Sequence, residues 1–213
     1  MMQPLSFLPV RSLSRALVFC LLALGSSGCV SVEMFKNSLA YEPQPLASRV
    51  EARANLDVAH ALSPEARDLW RSWGNGPETI GNWEAAVRSV MVDDLLRSGL
   101  FASAQVGGSG SFDYLVRVRS QDLRSPDRYS AELQICDWNT KNVIFTSKHE
   151  VPVEGGRFDS FKDAIKLVMS QLKADVLAEF AKGRLLPHAG RMPQHSGAPV
   201  PTLLPGPEMQ PQI

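Results

Sequence analysis

The stretch WEAAVRSVMVDDLLRSGLFASAQV, Trp83 to Val106, carries the transition on which the fold turns. Trp83, Val87, Val90, Met91 and Leu95 recur at three- and four-residue spacings, which puts them on one face of a helix. Gly99 is a stop signal, and Phe101 to Val106 reads as a short strand. A helix with one face to bury, running straight into a strand, predicts a helix lying on a sheet.

Downstream, FDYLVRVRS (Phe112 to Ser120), YSAELQICDW (Tyr129 to Trp138) and VIFTSKHEV (Val143 to Val151) are short and rich in β-branched and aromatic residues. GGSGS, a loop through Ser125-Pro126-Asp127, and NTKN separate them. Such brief connections predict antiparallel hairpins. Alternation gives Phe112, Tyr114, Val116 and Val118 to one face of the second strand, and Asp113, Arg117 and Arg119 to the other. In the third, Tyr129, Ala131, Leu133 and Ile135 oppose Glu132, Gln134 and Cys136. With one face apolar and the other wetted, helices should cover a single side. A closing helix from about Asp159-Ser160 supplies Phe161, Ile165, Val168, Met169, Leu172, Val176 and Phe180 before Gly183.

Upstream, Ser48 to Ala59 alternates as a first strand, and Ser63-Pro64 opens a short helix through Trp73 with an N-cap and a proline at the first position. GNGPETIG, Gly74 to Gly81, reads as a turn-rich break. The order β, α, β, β, β, β, α predicts an α+β two-layer sandwich, a mainly antiparallel sheet of about five strands with helices on one face.

This body, residues 47–184, is long enough for one core. Residues 29–46, with Pro43 and Pro45, read as a tether. From Pro187 the chain holds seven of the 15 prolines, so residues 185–213 read as a disordered tail. A recognition role for that tail stays open, although no PxxP register with flanking basic residues is present.

The 22 Lys+Arg balance 22 Asp+Glu, which gives no bulk field toward nucleic acid or an anionic bilayer. Residues 1–28 have the layout of a signal peptide. Arg11 and Arg15 lie in a basic start, Ala16 to Leu24 is apolar, and Gly25 to Gly28 are small. The apolar run would rise only about 15 Å as a helix, half of a hydrocarbon core of about 30 Å, so it is too short to span. Ordinary signal cleavage is the alternative, but no A-x-A site is present.

A leader ending in small residues before a cysteine resembles the lipobox of bacterial lipoprotein precursors. That resemblance implies cleavage after Gly28 and a diacylglycerol, palmitate-bearing Cys29. Val30, in place of the Asp that commonly retains such proteins in the inner membrane, implies the outer membrane, with the body facing the periplasm. Cys136 is then left without an intramolecular partner. A reactive thiol or an intermolecular bridge is open to it, against inert packing in a strand.

The segments WEAAVRSVMVDDLLRSGLFASAQV, FDYLVRVRSQDL and AELQICDWNTKNVIFTSK, with the closing helix, resemble the auxiliary lipoproteins of ABC-type envelope transporters, the PqiC-like group. More loosely they are similar to TolB-N-terminal-like and LpoB-like envelope lipoproteins. The resemblance covers about Trp83 to Phe180 and implies an accessory of an envelope transport system, with lipid as cargo. The alternative is a structural or regulatory lipoprotein of wall synthesis, polysaccharide export or secretion.

Enzyme signatures are missing from the sequence. His60, His149, His188 and His195 are scattered, and no spacing aims them at one metal. Asp93 and Asp94 diverge by about 100° on a helix, as on a solvated face. GGSGS lacks the Walker lysine. The expectation is no catalytic residue, no metal and no cofactor. The candidate partner surface is the wetted face bearing Arg117, Arg119, Glu132 and Gln134, together with the sheet edge; an ordinary solvated face is the alternative. Candidate partners are the membrane, envelope-complex subunits and further copies of the chain. If Cys29 holds the anchor, Cys29→Ser should leave the membrane pellet in fractionation; a cleaved variant that stays there contradicts acylation as the anchor.

Overall fold

The computed structural model describes residues 31–123, 127–153, 158–183 and 185. The leader, Gly28, Cys29 and the tail from 186 lie outside the described residues, whereas Leu185, expected to open the disordered tail, is buried in the core because its apolar side chain packs there. The elements in order are α1 (Val32–Leu39), β1 (Val50–Leu62), α2 (Pro64–Ser72), α3 (Pro77–Arg97), β2 (Phe101–Val106), β3 (Tyr114–Leu123), β4 (Arg128–Asp137), β5 (Val143–Pro152) and α4 (Phe158–Ala181).

The fold is α+β, a five-stranded open sheet with helices packed on it. Strand order is β2-β1-β3-β4-β5. β3, β4 and β5 form the expected antiparallel meander, with Val116 opposite Ile135 and Ile135 opposite Phe145. The sheet is nevertheless mixed, because β1 pairs in parallel with both β2 and β3.

The expected hairpin between β2 and β3 is therefore replaced by a crossover over β1. A parallel crossover normally needs a dozen residues or more. Seven suffice here because the strands are staggered. β2 ends level with Leu56 of β1, and β3 begins level with Ala54, so the chain has only two residues of strand length to retrace. Gly107, at φ +55°, turns the chain out of β2. Asn55 donates to the Gly108 carbonyl at 3.4 Å beneath the crossover. A Cβ on Gly108 would meet the end of the Gln105 side chain at 2.0 Å, so a larger residue there would require that flexible side chain to move. Phe112, expected on the core face, precedes β3 and packs edge-on to Trp138 at 4.8 Å.

Local chemistry sets the remaining boundaries. The Ser63 hydroxyl accepts from Ala66 N at 3.1 Å, with Pro64 opening α2. The break before α3 is shorter than Gly74 to Gly81, since Pro77 starts that helix. Gly99, at φ +70°, ends it. Asp137 Oδ1 accepts from the amides of Asn139 and Thr140 and so closes the β4–β5 turn.

The largest departure lies before β1. Residues Val32–Leu39 form a helix rather than part of a tether, with Phe35 and Leu39 buried against the core. α1 packs on both α3 and α4. Beyond it, the Tyr41 hydroxyl donates to Asp94 Oδ2 at 2.5 Å, while the Lys173 ammonium donates to Asp94 Oδ1. Asp94 thus belongs to the interior rather than to a solvated face, and Asp93 pairs with Lys36 at 3.2 Å. Burial, reinforced by the Asp94 carboxylate, raises the Tyr41 phenol above its ordinary range.

The expected helix face is the observed one. Val168 and Leu172 of α4 are fully buried in one cluster with Tyr114, Val116, Leu133 and Ile135, and Phe161 packs against it. Leu172→Ala should cost about 2–5 kcal/mol and lower Tm on the order of 10 °C, measured by thermal melting; an unchanged melt contradicts this packing.

Candidate functional site

Alternation puts even-numbered residues of β1 and β3 under the helices and odd-numbered ones on the opposite, open face. In β4 the parity reverses, so Glu132 and Gln134 join Arg117 and Arg119 on the open face. The structure brings these four together. Register places Arg119, Glu132 and Lys148 in one row across three strands, and Asp57, Arg117, Gln134 and Thr146 in the next.

Asp57 is the residue that the sequence reading missed. Arg119 donates to its carboxylate at 2.6 Å and to its backbone carbonyl at 2.7 Å. Arg117 lies 3.9 Å from the same carboxylate. Gln134 donates to Glu132 at 2.6 Å. The only signal for Asp57 was the alternation of β1, which sends it to the arginine-bearing face. Ala59, Ala61 and Ser130 are small and leave a shallow depression of about 320 Å³ beside Arg119, Glu132 and Lys148. An open groove with paired but half-exposed charges can hold a polar or acidic segment by hydrogen bonds, at little desolvation cost.

The sheet has two edge strands, β2 and β5, and β5 is the one whose residues share the rows of the candidate face. Val153 N donates to the Asp127 carbonyl, which makes that pair and every second one inward-bonded. Even-numbered residues of β5 therefore turn their backbone groups outward, and Pro152, which has no N–H, falls among them, as edge strands tolerate. Asp175 of α4 holds the strand from behind, accepting from the Ser147 hydroxyl at 2.5 Å and contacting His149 Nε2 at 2.7 Å.

A second polar group lies under the helices. His60 Nδ1 is 2.9 Å from the Ser120 hydroxyl, and His60 Nε2 is 3.5 Å from Asp122 Oδ1. Trp83 donates to Asp122 Oδ2 at 3.0 Å. The Ser120 and Tyr129 hydroxyls both face the Met91 sulfur, at 3.1 and 3.2 Å. Burial raises the Tyr129 phenol. Serine, histidine and aspartate meet here. His60 and Ser120 also line the depression of the open face, but the His60 side chain is fully buried and the Ser120 hydroxyl faces Met91 in the core. The hydrogen bonds of this network pair His60 Nδ1, Ser120, Trp83 and Asp122 Oδ2, while His60 Nε2 and Asp122 Oδ1 face each other without one. Sequence distance hid it, since His60 and Ser120 are 60 residues apart.

Among the described residues no three His, Cys, Asp or Glu side chains gather as metal ligands, and no helix is long and apolar enough to cross a membrane. Cys136 is a free, buried thiol.

The Ser147 hydrogen bond, aided by His149, holds the Asp175 carboxyl below its ordinary value. A depressed folded-state pKa adds stability above the unfolded value of about 3.9, and that stability is lost as pH falls through the folded value. Asp175→Asn should therefore melt lower than the parent at neutral pH and converge with it in acid, as pH-dependent melts will show.

No family model matches the chain, and no curated protein does. Solved structures resemble it only weakly. Protein XCC0632 from Xanthomonas campestris, described under the family model DUF330, has 10% identity and a TM-score of 0.43, covering 68% of this chain and 94% of that one. The PelC dodecamer from Paraburkholderia phytofirmans has 15% identity and a TM-score of 0.34, covering 65% and 93%. A minor lipoprotein from Acinetobacter baumannii has 15% identity and a TM-score of 0.27, covering 63% and 95%.

Proposed function

We propose that this chain is a non-enzymatic accessory protein of the bacterial envelope. It is anchored in the outer membrane through an acylated Cys29 and faces the periplasm. There it presents the open face of its sheet to a subunit of an ABC-type transport system with lipid as cargo. The observation that carries the reading is the pairing of a lipobox-like Gly28-Cys29 junction with a sheet that has helices on one side only. The anchor supplies the address, and the uncovered face supplies the contact. The transporter is named through the sequence resemblance, whose segments fall on α3, β2, β3, β4, β5 and α4.

Arg117 and Arg119 are half-exposed around a single carboxylate, so reversing both charges changes the face without emptying the core. Arg117→Glu with Arg119→Glu should lower co-purification of the neighbouring ATPase or permease subunits by about tenfold or more, while the fold persists at a cost of about 1 kcal/mol per substitution from like charges beside Asp57 and Glu132. A truncation after Leu185, the last of the described side chains buried in the core, should leave capture intact. If the truncation abolishes capture and the reversals do not, recognition lies in the tail.

A further inference from the structure

Four elements meet at one end of the domain. Phe35, one turn into α1, lies 6.2 Å from Trp70 of α2, 5.4 Å from Trp83 of α3 and 6.2 Å from Phe158, the first residue of α4. Around this buried aromatic group stand large apolar side chains that no element covers. Met34 adjoins Phe35, Trp73 caps α2 one turn beyond Trp70, and Phe158 opens α4; they are 50%, 64% and 46% exposed. Three exposed apolar side chains at one end call for an explanation that singly scattered ones do not.

The chain itself names the occupant. Cys29 precedes the α1 N-cap, Ser31, by two residues, and two residues span at most about 7 Å in any conformation. α1 is docked through Phe35 and Leu39, so no free tether separates it from the body. If Cys29 carries its lipid, its backbone sits at the glycerol level of the bilayer. The end of the domain where α1 begins then has to lie at the headgroups, a layer of about 5–8 Å on each side of the hydrocarbon core.

We infer that Met34, Trp73 and Phe158 form a membrane-contacting surface that seats this end of the domain in the headgroup layer of the bilayer holding Cys29. The inference rests on the anchor reading proposed above. Tryptophan suits that layer, where its amphipathic ring meets both chains and water, and phenylalanine and methionine add apolar surface that can sink into the acyl boundary. Charge plays little part, since Asp68 pairs with Arg71 and Asp159 with Lys162 beside the patch. The contact is therefore apolar and persists at high salt. It supplies a second membrane signal beside the acyl chains and fixes the orientation of the body.

The test uses full-length protein expressed with its leader and taken from membranes. It is reconstituted in phosphatidylethanolamine–phosphatidylglycerol vesicles containing phosphatidylcholine brominated near the headgroup end of one chain. Tryptophan emission should be quenched, equally at low and high salt, and Trp73→Phe should lose most of that quenching while remaining on the vesicles. Phe158→Trp in the Trp73→Phe background should restore it. Protein that sediments with vesicles but shows no quenching in either form overturns the membrane surface and leaves the anchor standing. Protein that does not sediment, with Cys29→Ser behaving identically, overturns the anchor and the surface with it.

Discussion

The sheet depends on how Asp113 holds Arg53. The Asp113 carboxylate accepts from Arg53 N at 2.7 Å, and its own amide donates to the Arg53 carbonyl at 2.9 Å. This pair of hydrogen bonds sits where β1 gains its second neighbour, next to the register shift between Val50 and Arg53. On one side the first half of β1 pairs with β2, and on the other its second half pairs with β3. A strand bonded on both sides has its polar backbone satisfied, which allows β1 to be an interior strand. The glycine-rich crossover then occupies the open face near Asn55 and confines the free part of that face to the rows around Asp57, Arg119 and Glu132.

A second constraint acts from the helix side. Asp94 and Lys173 are both almost fully buried, and Tyr41 completes the carboxylate's hydrogen bonding. A buried pair is poor evidence of net stability, because desolvating two ions offsets most of their attraction. Removing one partner is another matter, since it strands a charge in the core. The three residues come from the segment after α1, from α3 and from α4, so the arrangement specifies where those elements meet. It also binds the segment just past α1 to the body, which is why the domain does not swing freely from residue 31.

The sequence shows the elements more clearly than their neighbours. Strand faces were legible because Tyr114, Val116 and Val118 alternate with charged residues at period two, and a one-residue error would have turned every side chain over. α3 and α4 were legible through long apolar periods and the glycines that end them. The order of strands was not, because the stagger that lets seven residues cross β1 is a property of pairing and leaves no local mark. α1 was missed since eight residues followed by a proline pair carry little periodic signal, and its helicity comes from docking Phe35 and Leu39. Of the candidate face, the arginines, Glu132 and Gln134 were readable by alternation. Asp57 and the alanine floor came into view only once β1 lay beside β3.

The two surfaces also impose an order on each other. The open face of the sheet lies opposite the helix layer, whereas the aromatic end is built from the starts of α1, α3 and α4 and the end of α2. A body seated on that end, as proposed, has its sheet face turned away from the helices and to the side, where a partner can meet it. Orientation matters more than affinity for such a contact. Two membrane-held proteins meet at high effective concentration, so a row of half-exposed charges such as Arg119, Glu132 and Lys148 can be decisive while each pair contributes little by itself. Under the proposed reading, the anchor end and the paired charges are complementary devices, one restricting where the domain can be and the other restricting what it can touch.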